Sequence, residues 1–277
     1  MSWFAIEVHP AAERRDAVAA WLVGRTGHAV EERDDGTLVS FALTAPDADA
    51  LERDLAREHG PGLLMERREH PEIDWTEAWR EGLAVRRIGR FVIVPSWIAY
   101  TATAGESVII IDPEMAFGSG EHGSTRAALA LLERFVREGD TVLDLGSGSG
   151  ILSIVAARLG AGQVVGIEAD GDALPVSVQN AERNRVTDRV TFLEGDAAHL
   201  TPLLAPVNLV VSNILRLINI ALLPEVHSAL LPGGIAIFSG MEPAEAPEFR
   251  PALLEAGFQI VEELVDEGWW GVAARRP

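Results

Sequence analysis

Cysteine is absent from the 277-residue chain, which removes disulfides, thiolate nucleophiles and thiolate metal sites from the available chemistry. No metal site is expected, and a cytoplasmic home fits. Long apolar runs are missing as well: nothing approaches the roughly 18 uninterrupted apolar residues of a membrane span. Met1 to Arg15 also lacks the basic start and apolar run of a signal peptide. A soluble protein with no membrane partner is expected. Basic residues are scarce, 23 against 42 acidic ones, for a formal charge of −19. Direct nucleic-acid contact is therefore not expected, because phosphate backbones require a basic surface. Such acidity suits a basic protein partner, and it also suits mere solubility.

The length accommodates one large core and a second, smaller one. Residues 1–70 read as a small α+β unit. Trp3 to Val8 and Thr37 to Leu43 have strand patterns, while Ala11 to Val23 and Asp47 to Glu58 have helical spacing that stops at His59-Gly60-Pro61-Gly62. Two strands and two helices in this order suggest part of a ferredoxin-like module. Residues 71–90, polar and carrying Trp75, Trp79, Arg80, Arg86 and Arg87, read as a connecting helix or linker, and the main domain spans 91–277. Phe91 to Pro95 and Ser107 to Asp112 read as two strands ahead of the main pattern. From Thr141 onward strands and helices alternate strictly, which predicts a doubly wound parallel α/β sheet with ligand at the carboxyl ends of its strands. Only Asp266-Glu267-Gly268 joins the last two strands, too short for a parallel crossover, so the final strand runs antiparallel.

The central chemical signal is Asp144-Leu145-Gly146-Ser147-Gly148-Ser149-Gly150, a strand entering a glycine turn that opens a helix. Glycine lets backbone approach a ligand and adopt positive φ. Dinucleotide folds space their glycines as Gly-x-Gly-x-x-Gly, whereas here an acid precedes Gly-x-Gly-x-Gly directly. A phosphate-free cofactor with a nucleoside and an amino-acid tail fits that pattern, with Asp144, Gly146, Ser147 and Gly148 as contacts. Glu168 ends the next predicted strand, where a carboxylate can accept both ribose hydroxyls. Asp196 and Ala197 follow the third, where an acid can receive an adenine amino group. Alone, either acid reads as a solvated strand end.

Two further segments stand out. Phe117-Gly118-Ser119-Gly120-Glu121-His122-Gly123-Ser124-Thr125 precedes a helix expected over Arg126 to Phe135, so hydroxyls and helix N-terminal amides can meet an anionic carboxylate. Ser124 or Thr125 as an N-cap is the competing reading, and His122 reads as a hydrogen-bonded structural residue. Ser212-Asn213-Ile214-Leu215 ends the strand Val207 to Asn213. There the Asn213 side-chain oxygen and the following backbone carbonyl at Ile214 can hold an amine nitrogen in line with a methyl donor. Capping of the next helix competes with this.

Together, Phe117 to Thr125, Asp144 to Leu152, Glu168 and Ser212 to Leu215 resemble the bacterial protein-lysine methyltransferases that modify ribosomal large-subunit protein eleven, from about Trp75 to the C-terminus. The resemblance implies a class I methyltransferase core behind a ferredoxin-like substrate-recognition module and a connecting helix, matched here by Asp74-Trp75-Thr76-Glu77-Ala78-Trp79-Arg80. S-adenosylmethionine is the implied cofactor, with contacts at Thr125, Gly146, Glu168 and Asn213 and, alongside them, Phe117, Gly118 and Ser119. The implied reaction is N-methylation of lysine, and of an N-terminus, with Asn213 and Ile214 holding the acceptor. Ser119 and Ser124 stand where the family usually has threonine, and Arg216 where it has small residues. A lysine, with an ordinary pKa of about 10.4, must arrive neutral. Rival readings are a lysine or glutamine methyltransferase for another protein, the glutamine type carrying Asn-Pro-Pro-Tyr after this strand, and a catalytically silent cofactor-binding module.

Overall fold

A computed structural model describes residues 3–26, 30–33, 35–42, 44–60, 63–70, 80, 83–114 and 116–277. The chain divides into two compact units, Met1–Ala78 and Trp79–Pro277. The connecting helix expected around residues 74–80 lies almost wholly outside the described residues.

In the first unit the order is β1 (Trp3–His9), α1 (Arg15–Thr26), β2 (Glu31–Glu32), β3 (Leu38–Ala42), α2 (Ala45–His59) and β4 (Leu64–His70). The strands form one antiparallel sheet in the order β2-β3-β1-β4, which is the ferredoxin-like arrangement. Phe4, Ile6 and Val8 of β1 pack against Val18 and Leu22 of α1 and Ala48, Leu51 and Leu55 of α2. Thr44 caps α2, its hydroxyl accepting from the Asp47 amide, and Gly60 ends it. Two strands beyond the sequence reading complete this sheet. β2 is only two residues long, and β4, Leu-Met-Glu-Arg-Arg-Glu-His, carries charges on both faces, so neither shows period-2 patterning; both are edge strands.

The second unit begins with a three-stranded sheet, β5 (Arg86–Ile88), β6 (Phe91–Val94) and β7 (Ser107–Ile110). There follow α3 (Gly123–Phe135), β8 (Thr141–Leu145), α4 (Ile151–Arg158), β9 (Gln163–Glu168), α5 (Leu174–Arg183), β10 (Val190–Glu194), the single turn α6 (Ala197–Leu200), β11 (Val207–Asn213), α7 (Arg216–Ala229), β12 (Leu230–Met241), α8 (Ala246–Glu255), β13 (Gln259–Asp266) and β14 (Trp269–Arg275). The seven strands stand in the order β10-β9-β8-β11-β12-β14-β13. The first five are parallel, and β14 runs antiparallel between β12 and β13, as the short final connection requires. This is the class I methyltransferase arrangement. β12 is long and carries Pro232-Gly233-Gly234 within it, where its register against β11 is irregular.

Both sheet faces are covered. α3, α4 and α5, with residues of the small sheet, close one side around Leu129, Leu132, Ile154 and Val155. α7 and α8 close the other around Leu222, Val226, Phe238 and Phe249. Strand order reverses between β8 and β11, so a crevice opens at their carboxyl ends. Among the described residues no helix is long and apolar enough to cross a membrane.

Candidate active site

At the end of β8 the chain turns through Gly146 (φ 75°), Gly148 (φ 50°) and Gly150 (φ 82°) before α4. A Cβ on Gly148 would lie 2.5 Å from the Phe117 carbonyl oxygen, and one on Gly146 would lie 2.5 Å from Ile214 Cγ2. Positive φ and close approach together demand glycine at both places. The turn thus touches both flanking segments, Phe117 on one side and Ile214 on the other.

Asp144 is fully buried: Oδ2 accepts from the Ser153 amide (3.0 Å) and hydroxyl (2.7 Å), while Oδ1 has no partner. Burial drives its pKa up to about 7, against the opposing Ser153 hydrogen bonds. Ser147 Oγ is likewise buried and unpartnered, and so is Asn213 Oδ1. β8 pairs in parallel with β11, so these three atoms belong to adjoining strand ends at the switch point. Buried polar atoms without partners cost free energy, roughly 1–3 kcal/mol each. Three together mark a place built for a polar ligand.

Glu168 is pinned at the end of β9, Oε2 accepting from the Gly148 amide (2.8 Å) and Oε1 from the Asp170 amide (3.0 Å). Each oxygen retains acceptor capacity for a diol. Asp196, 62% exposed in its side chain, caps α6 through the Ala198 amide, with Ala197 as the first helical residue. Its structure is that of a cap at the rim.

The segment before α3 is bound to the glycine turn. The Ser149 amide donates to Phe117 O (2.8 Å), and its hydroxyl donates to Gly118 O (2.6 Å). Asn180 on α5 donates to Ser149 O and Asp112 O and accepts from the Asp112 amide, each at 3.0 Å. Ser119 Oγ accepts from the Glu121 amide. Phe117 stands 56% exposed over this loop. α3 begins one turn earlier than its sequence suggests, at Gly123 with His122 at the N-cap, so neither Ser124 nor Thr125 is the cap. Thr125 is instead buried in the first turn, where its Oγ1 accepts from Asn213 Nδ2 at 3.3 Å. His122 is held structurally, Nδ1 within 2.7 Å of Ser124 Oγ and its ring 4.1 Å from Trp269, and desolvation lowers its pKa.

Asn213 does not cap α7 either: Leu215 occupies that position and no side chain caps the helix. Fully buried Asn219 fixes the local backbone, donating to Ile214 O and Ser239 O and accepting from Ser212 Oγ. One lone pair of the Ile214 carbonyl is therefore already engaged. Ser149, Asn180, Asn219 and Trp269 escaped the sequence reading. Ser149 lay inside a motif read for its glycines, while the other three carry no local signal.

The whole frame has close relatives. The family model described as Ribosomal protein L11 methyltransferase (PrmA) matches residues 3–277. A protein named ribosomal protein L11 methyltransferase from Chloroflexus aurantiacus is 40% identical over 229 residues, covering 74% of this chain and 70% of its own. One of the same name from Thermus thermophilus is 42% identical over 196 residues, 71% and 75% of the two chains. A crystal structure of ribosomal protein L11 methylase from Lactobacillus delbrueckii subsp. bulgaricus superposes with a TM-score of 0.65 at 32% identity, covering 70% of this chain and 99% of that one. With the fold, the glycine turn and the full-length family match in agreement, the chain belongs to the ribosomal protein L11 methyltransferase family, a family of protein methyltransferases.

Proposed function

We propose that this chain transfers methyl groups from S-adenosylmethionine to amino groups, lysine side chains and an N-terminus, of ribosomal protein L11. The observation that carries the reading is the trio of buried, unpartnered polar atoms, Asp144 Oδ1, Ser147 Oγ and Asn213 Oδ1, at the switch point of a class I sheet. Asp144 Oδ1 and Ser147 Oγ fit a cofactor with a cationic amino-acid tail, and Asn213 Oδ1 fits the acceptor amine beside it. When bound, S-adenosylmethionine supplies a methyl group activated on a sulfonium. In this reading Glu168 accepts the ribose hydroxyls, and Asp144, Gly146, Ser147 and Gly148 line the amino-acid tail. Phe117, Gly118, Ser119 and Thr125 close the other side, and Asp196 with Ala197 forms the adenine rim. Positioning does most of the work, since transfer needs in-line geometry more than acid–base help.

Asn213 Oδ1 and the free lone pair of Ile214 O accept from the incoming amine and aim its lone pair. Desolvation in the crevice favours the neutral amine, lowering its pKa from about 10.4. An acidic enzyme surface suits a basic ribosomal protein, and the cytoplasm is the location this substrate implies. The test is incubation with labelled cofactor and purified ribosomal protein L11, followed by mass mapping. All 23 basic residues of this chain are arginine. With no ε-amine of its own to accept label, label on lysine reports the substrate alone. Absence of any mass shift on that protein sinks the reading.

A further inference from the structure

The first turn of α7 and the residue before it point three large apolar side chains into solvent beside the crevice: Leu215 is 70% exposed, Leu217 69% and Ile218 49%. Scattered surface leucines need no explanation, but three within four residues form a patch. This patch is not a loose end. Asn219 ties the backbone at Ile214 to β12 through Ser239 O, and Arg216 is ion-paired to Glu245 at 3.0 Å and to Glu248. The lip therefore stands on a fixed frame and begins one residue after Ile214, whose side chain faces the Gly146 turn. Its surroundings are acidic: Glu245 and Glu248 both pair with Arg216, and Glu242 sits next to Glu245, its amide donating to the Glu245 carboxylate.

We infer that Leu215, Leu217 and Ile218 form a docking lip for the protein substrate, receiving an apolar side chain that neighbours the acceptor amine within a basic segment. The inference rests on the proposed methylation of ribosomal protein L11 and goes beyond it by assigning recognition to the catalytic unit itself. Continuity with the acceptor site fixes where the substrate chain passes, and the surplus of carboxylates fits its basic character. With its backbone already held, the lip has only side-chain rotamers to order on binding, so less of its burial is offset.

The test compares wild type with the double variant Leu217→Gln/Ile218→Gln, with Leu217→Gln alone and with Leu217→Met, using purified ribosomal protein L11 as acceptor. Leu217 is mostly exposed and Ile218 half exposed, and neither belongs to a core cluster, so Tm stays within a degree or two of wild type and calorimetric affinity for S-adenosylmethionine within twofold. Expected is a fall in kcat/KM of roughly tenfold or more for the Gln variants, carried by KM, with Leu217→Met close to wild type. Wild type that methylates the protein while the Gln variants keep its kcat/KM within twofold overturns the lip alone. A wild-type enzyme that leaves the protein unmethylated overturns the substrate reading and this docking partner together.

Discussion

At the scale of single residues, the site is defined by what lacks a partner. Asp144 has its carboxylate half satisfied by Ser153 and half bare, and burial raises its pKa to about 7. Because the folded value lies above the ordinary 3.8, the native state holds the proton more tightly than the unfolded chain. Its contribution is whole below pH 4 and is lost as pH climbs through 7. Asp144→Asn should remove that loss, so its Tm relative to wild type should rise between pH 5 and 8 by at least about 4 °C, measurable by calorimetry. A constant difference across that range would show the carboxyl to be ordinary. The same variant should weaken S-adenosylmethionine, since a neutral amide cannot complement the cofactor's cations. Glu168→Gln should cost about tenfold or more in cofactor affinity, as the amide keeps one acceptor oxygen but places donors against the Gly148 or Asp170 amide. Titration calorimetry showing equal affinity would remove Glu168 from the ribose. For Asn213, with Leu215 as the helix N-cap, a capping role no longer competes. Asn213→Ala and Asn213→Asp should both lose turnover by tenfold or more in single-turnover assays while cofactor still binds, and an active Asn213→Asp enzyme would exclude the amide from acceptor positioning.

Among elements, two loops far apart in sequence behave as one. Ser149 joins the glycine turn to the segment carrying Phe117 and Gly118, and Asn180 locks both to Asp112 from α5. Ser149→Ala would leave Gly118 O buried without its donor, at a cost of roughly 1–3 kcal/mol. Expected are a lower Tm and cofactor affinity reduced severalfold, together with faster proteolysis within residues 112–125. Unchanged cleavage and affinity would mean that the loop holds its place without this bond. Such couplings mark the limit of what the sequence makes legible. The seven-stranded core could be read because short apolar strands alternate with helical periods, several of them ended by glycine, and the three acids Asp144, Glu168 and Asp196 could be placed by their positions at successive strand ends. β2, β4 and β5 could not, because short or charged edge strands lack an apolar alternation. Asn180 to Asp112 and Asn213 to Thr125 span 68 and 88 residues, separations at which no local pattern speaks. The start of α3 is hidden for a related reason: Ser124 and Thr125 look like caps, but their hydroxyls serve His122 and Asn213.

Over the whole molecule, chemistry and recognition are separable in principle. Every candidate cofactor and acceptor residue, from Phe117 to Ile214, lies in the unit Trp79–Pro277, whose own helices and strands build a core on each face of its sheet. The ferredoxin-like unit, Met1–Ala78, has its own apolar core around Ile6, Val8, Val18 and Leu55, so it is a folded body and not a tail. A chain beginning at Pro71 should keep S-adenosylmethionine affinity within about twofold of the full protein. Transfer to ribosomal protein L11 should fall by far more, through KM, because the recognition proposed for the first unit is gone while the crevice and its lip remain. A small amine acceptor, which needs only the crevice, should be methylated at equal rates by both forms. Cofactor calorimetry on the shortened chain comes first, since lost binding would show that the catalytic unit depends on its neighbour for folding. With binding intact, full-rate methylation of the ribosomal protein would remove recognition from the first unit and leave it to the catalytic unit.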